Sequence, residues 1–128
     1  MRPPRVTSRP LLTGVASAAL VVLAAGCAHT VAVGSARTLR LGLTEYRVVP
    51  QSVRAEPGEL TLIVTNDGRI THNLAITAAG KVLDQTPPIP PGQSSELIVY
   101  LGKGSYVMTS TLFSDQALGT YGTLKVGS

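Results

Sequence analysis

Residues 57–68, Pro57-Gly58-Glu59-Leu60-Thr61-Leu62-Ile63-Val64-Thr65-Asn66-Asp67-Gly68, set a Pro-Gly turn, a run stepped by Leu60, Leu62 and Val64, and an Asn-Asp-Gly turn side by side. A period of two is the side-chain repeat of a strand with one buried face, and Gly, Asn and Asp supply the backbone conformations of tight turns. The same device repeats outward in both directions. Leu39, Leu41 and Leu43 alternate upstream; Leu74 and Ile76, then Leu97, Val99 and Leu101, then Tyr106 and Met108, then Leu124 and Val126 alternate downstream. Ala79-Gly80-Lys81, Pro90-Pro91-Gly92 and Gly102-Lys103-Gly104 separate them as turns. After Cys27 no window of helical length carries an apolar stripe at a spacing of 3.6 residues. The expected fold class is therefore all-β, a Greek-key β-sandwich of about seven strands. Leu62, Val64, Leu74, Ile76, Val99 and Val126 are expected inside it. The Pro87–Pro91 segment cannot pair as a central strand, so it should bridge the two sheets or cover an edge.

The 128 residues suffice for one small domain, and 44% hydrophobic with 14% charged residues can bury a core, which argues against disorder. The formal charge is +4, but its position matters. Arg2, Arg5 and Arg9 precede Cys27, which leaves eight basic residues against all seven acids in the rest of the chain. With no Lys/Arg run and no basic stretch interleaved with aromatics in that body, the electrostatic footprint of a nucleic-acid binder is missing, and no nucleic-acid partner is expected.

The excess charge belongs to an N-terminal segment built in three zones: a basic start (1–10), an apolar run (11–25) and Gly26-Cys27. That is the plan of a secretory signal, and a run of about 15 residues falls short of the roughly 20 that cross a bilayer as a helix. Leu23-Ala24-Ala25-Gly26-Cys27 resembles the bacterial lipoprotein signal, in which small residues precede a cysteine that is lipidated and becomes the mature N-terminus. A thioether-linked diacylglycerol there, with palmitate-type chains, anchors stably because each buried CH₂ adds about 0.8 kcal/mol. The resulting expectation is a signal peptide over 1–26, lipidation at Cys27, a tether over 27–36, and a folded domain over 37–128. The protein would sit in the cell envelope, membrane-anchored and facing the extracytoplasmic side. Cys27 is the single cysteine, so neither an intramolecular disulfide nor a cysteine zinc cluster can form.

Catalytic signatures are missing: the sequence has no Gly-rich phosphate loop, no nucleophile elbow, no His-Glu-x-x-His and no paired carboxylates in one segment. Of the two histidines, His29 falls in the tether, and His72 has no evident nucleophile near it in sequence. No enzyme is expected.

Glu45-Tyr46-Arg47-Val48-Val49-Pro50, then Val53-Arg54-Ala55-Glu56-Pro57-Gly58, then Leu60 to Asn66, Gly68 and His72-Asn73-Leu74 form an ordered series. Pro91-Gly92, Gly104-Ser105-Tyr106 and Gly119-Thr120-Tyr121-Gly122-Thr123-Leu124-Lys125-Val126 continue it. The series resembles the cupredoxins, the blue-copper sandwich proteins related to plastocyanin, over roughly residues 37–126. Type 1 copper takes two imidazoles, a thiolate and usually a weak axial thioether, because soft sulfur and imidazole suit the Cu(I)/Cu(II) couple. Carried over residue by residue, the first imidazole is His72, but the thiolate falls at Ser110, the second imidazole at Asp115 and the thioether at Thr120. No Cys or His follows His72, and Met108 falls in a strand before the loop. The resemblance thus implies the fold with most ligands lost, and no type 1 copper cofactor.

His72, Ser110, Asp115 and Thr120 are expected together at one end of the sandwich. There they would hydrogen-bond one another and the loop backbone, with Asp115 holding His72 by a charge-assisted bond. The alternative is an oxygen-rich site in which His72 and Asp115 hold copper or another divalent ion weakly, in a metal-handling protein. The leading expectation is a non-redox binding or structural module, anchored in the membrane through Cys27, with an envelope protein as its partner. Tyr46, Tyr100 and Tyr106 read as core or sheet-edge aromatics. Phe113 would plug the lost site or present a contact, and Arg37, Arg40, Arg47 and Arg54 would line solvated strand faces.

Overall fold

The computed structural model describes residues 29–112 and 120–127. Ten strands build it: β1 (Thr30–Ala32), β2 (Thr38–Thr44), β3 (Arg47–Val49), β4 (Ser52–Ala55), β5 (Gly58–Asn66), β6 (Ala75–Ala78), β7 (Lys81–Gln85), β8 (Ser94–Leu101), β9 (Gly104–Thr109) and β10 (Tyr121–Val126). They form a six-stranded sheet in the order β1-β4-β10-β9-β6-β7 and a four-stranded sheet in the order β3-β2-β5-β8. The expectation of an all-β sandwich holds; the strand number does not. The additional strands are short or wholly exposed. β1 has three exposed residues and β7 five, so neither shows the alternation that marks a strand in sequence. β3 has three residues and takes its register from β2.

β1 also corrects the tether. Thr30, Val31 and Ala32 pair in parallel with Ser52, Val53 and Arg54, so the chain joins the sheet inside the stretch 27–36 read as a tether. The stretch is small and polar because β1 is an edge strand that buries nothing, and edge pairing needs only its backbone groups.

β2 and β5 pair in parallel, as do β4 and β10. Parallel neighbours demand crossover connections, and here these pass between the sheets. The alternation of β5 places Leu60, Leu62 and Val64 inward against Leu39, Leu41 and Leu43 of β2 and Leu97 and Val99 of β8. Leu74, Ile76, Met108, Leu124 and Val126 close the core from the other sheet, so the six residues expected inside are all buried. Pro87–Pro91 joins β7 of one sheet to β8 of the other, the first of the two placements its composition allowed, and its Ile89 is buried.

The tyrosines divide. Tyr106 packs against the core and donates its hydroxyl to Gly102 O, whereas Tyr100 is 82% exposed on edge strand β8. Tyr46 is in the turn after β2 with a φ of 70°, not in a strand. Arg37 is likewise off the strand faces: its guanidinium donates to Glu56 O at 2.7 Å and to Glu59 O at 3.0 Å.

Candidate functional site

β2 ends, β5 ends, β9 ends and β10 begins at the same end of the sandwich, because β9 and β10 are antiparallel with Tyr121 opposite Thr109 and β2 lies in register with β5. This end gathers His72, Ser110 and Thr120, all buried. Cys27, Phe113 and Asp115 lie outside the described residues, as do residues 1–26, read above as a signal peptide, and the rest of 113–119.

His72 is on the segment between β5 and β6. Its backbone exchanges two hydrogen bonds with Ile89, N–H to O at 3.2 Å and O from N–H at 2.7 Å, which fixes the Pro87–Pro91 segment over it. Buried Asn66 completes the seal: its amide group donates to Ile70 O at 2.8 Å and to Ile89 O at 2.7 Å, while its Oδ1 accepts from Gly68 N–H at 2.8 Å. In sequence Asn66 reads only as a turn former; its second role needs Ile89, 23 residues away.

Among the described residues the carboxylate beside His72 is Glu45. Its Oε1 is 3.6 Å from His72 Nε2 and accepts the backbone N–H groups of Arg69 and Ile70, the latter at 3.0 Å. The amide of Arg69 first, then Glu45's own amide and that of Ile70, with His72 contributing last, hold the Glu45 carboxyl down from 4.5 to about 2. Gly68 leaves the room for this approach: a Cβ there would come within 2.6 Å of Glu45 Oε1. Nothing local in the sequence ties Glu45 to His72, since their contact spans the β2–β3 turn and the β5–β6 segment.

Ser110 and Thr120 hold the rest of the end together. Asn73 N–H donates to Ser110 Oγ at 3.3 Å, and Asn73 Oδ1 accepts from Ser110 Oγ–H at 3.1 Å and from Thr111 N–H at 2.8 Å. Thr120 Oγ1 accepts the Tyr46 N–H at 2.9 Å, and Thr120 O accepts from the Thr109 hydroxyl at 3.0 Å. Three of the four residues of the expected constellation, His72, Ser110 and Thr120, are buried at this end, and the ties of Ser110 and Thr120 run through Asn73, Tyr46 and Thr109, which the sequence did not nominate. Among the described residues no group of three His, Cys, Asp or Glu side chains gathers as a metal site.

No protein-family model matches the sequence, and no curated protein matches it. Solved structures do match. Reduced auracyanin from Roseiflexus castenholzii superposes with a TM-score of 0.65 at 17% identity, covering 74% of this chain and 100% of that one. Rusticyanin from Thiobacillus ferrooxidans gives 0.61 at 14%, covering 77% and 82%. A purple cupredoxin from Nitrosopumilus maritimus gives 0.53 at 22%, covering 69% and 98%.

The fold is that of the cupredoxins.

The described side chains at this end do not fit type 1 copper. Hydroxyls at Ser110 and Thr120 are hard donors with high pKa values, they are engaged by Asn73 and Tyr46, and the sequence holds no thiol beyond Cys27. Beside buried His72 and half-buried Glu45, the 68–72 segment opens on an apolar groove of about 810 Å³ lined by Arg69, Ile70, Thr71, Pro88, Pro91 and Leu112.

Proposed function

We propose that the protein is an exported, lipid-anchored cupredoxin-like module that binds or braces other components of the cell envelope without redox chemistry. The observation that carries this reading is the bonding of Ser110 and Thr120. At the two positions where the resemblance calls for sulfur, buried hydroxyls tie β9 to the His72–Asn73 segment and β10 to the β2–β3 turn. Protein hydrogen bonds thus do the joining that a metal would do, and Glu45 joins the third side by bonding the Arg69 and Ile70 amides. The anchor reading rests on the apolar run ending in Ala25-Gly26-Cys27. The absence of nucleophile and phosphate-loop motifs speaks for a binding role over catalysis.

Titration of the full chain with Cu(II), followed by calorimetry, visible absorption and voltammetry, tests the non-redox part. The expected result is at most weak, chelator-labile binding without an intense visible band or a reversible couple. An intense band near about 600 nm, the order of Cu-thiolate charge transfer, would overturn it.

A further inference from the structure

A shallow depression at the β1 edge of the six-stranded sheet is lined by His29, Gln51, Ser52, Tyr121 and Thr123. His29 directly precedes β1, and Cys27 is two residues earlier. Covalent reach alone therefore keeps Cys27 Cα within about 7 Å of His29 Cα. The direction of β1 decides which end of the sandwich this is. Thr30 stands opposite Ser52, and Ser52 opposite Thr123, with β1, β4 and β10 all running the same way. The start of β1 consequently lies toward the start of β10, the end that holds Thr120, His72 and Ser110. The Pro57-Gly58 and Gly102–Gly104 turns lie at the far end, a strand length away. β5 has nine residues, which at about 3.3 Å each is roughly 30 Å.

The near end has the chemistry of a membrane interface. Tyr46 is 60% exposed, and Ile70 and Tyr121 are each 44% exposed. The Tyr46 amide bonds Thr120, the residue before Tyr121. Exposed Arg47 and Arg69 follow or precede these apolar side chains in the chain. Of the described acids at this end, Glu45 is turned onto backbone amides, and Asp67 is exposed in the turn. Amphipathic rings with long-stemmed cations suit the headgroup layer, where the ring is half-buried and the guanidinium meets phosphate.

We infer that the protein stands on the bilayer with this end down, Tyr46, Ile70 and Tyr121 in the headgroup layer and Arg47 and Arg69 toward anionic lipid. The inference rests on the lipidation of Cys27 proposed above. The groove beside Ile70 then faces lipid, and envelope proteins meet the sheet faces or the far end.

The test uses the full, lipidated chain carrying Ile70→Cys, Tyr121→Cys, Val31→Cys or Lys103→Cys, each labelled with an environment-sensitive fluorophore; the Cys27 thioether does not react. A circular-dichroism spectrum equal to that of the unsubstituted protein admits each variant to the comparison. In vesicles of equal parts phosphatidylcholine and phosphatidylglycerol with a headgroup-region nitroxide lipid, labels at 70 and 121 should be quenched several-fold more than the label at 103. Equal quenching at 70, 121 and 103, or quenching at 31 with none at 70, overturns the end-down posture while the anchor stands. Mass spectrometry of the N-terminal peptide reads the anchor separately: an unmodified Cys27 overturns the lipidation reading, and the posture with it.

Discussion

Glu45 Oε1 lies 3.6 Å from His72 Nε2, across 27 residues of chain, while accepting amide hydrogens from Arg69 and Ile70. One carboxylate thus ties the β2–β3 turn to the segment that buries His72. Because it is about a quarter exposed, its strength comes from preformed backbone donors more than from charge, as exposed ion pairs contribute little.

The sign of its pH effect follows. The folded carboxyl titrates at about 2 against an ordinary 4.5, so the ionised form is the one that stabilises. That stabilisation is fully present above the ordinary value and is lost as pH falls through the window from 4.5 to about 2. Thermal unfolding of the wild type should therefore fall more steeply across this window than that of Glu45→Gln. Parallel curves would show that Glu45 does not contribute.

Gly68→Ala should destabilise by about 1–3 kcal/mol, because its Cβ would sit 2.6 Å from Glu45 Oε1 and 3.1 Å from Asn66 Oδ1. Glu45 cannot swing away without leaving the two amides. In a Glu45→Ala background the same substitution should cost less, and a double-mutant cycle by denaturant unfolding measures the difference. A coupling near zero would mean that Gly68 serves the turn alone.

Asn73→Ala removes the acceptor for Thr111 N–H and for the Ser110 hydroxyl at a buried position. A loss of about 2–3 kcal/mol is expected, since truncation leaves buried donors unmatched. Ser110→Ala should cost less, as Thr111 N–H keeps its bond to Asn73. Equal losses in urea unfolding would count against Asn73 as the centre of this tie.

Cys27→Ser should move the protein from the membrane fraction to the soluble exported fraction, or leave it unprocessed. Immunoblotting of fractionated cells reads the outcome, and unchanged membrane retention with normal cleavage refutes the lipid anchor.

The sequence by itself determined the all-β class, the inward residues and the exclusion of Pro87–Pro91 from the central strands, because period-two alternation and turn chemistry are local properties written every few residues. The resemblance to the cupredoxins, carried over residue by residue, named His72, Ser110 and Thr120 for one end of the sandwich, where all three lie buried. The sequence could not count β1, β3 and β7, which are too short or too exposed to alternate and become strands only through their neighbours' unpaired backbone groups. Nor could it identify what each site residue bonds. Glu45, on the β2–β3 turn, had no local signal as a neighbour of His72, and only the tertiary structure sets it there, Asn73 against Ser110 and the Tyr46 amide against Thr120. Such contacts join positions tens of residues apart on different strands, and a short polar side chain carries no local signal of the partner that packing will bring to it.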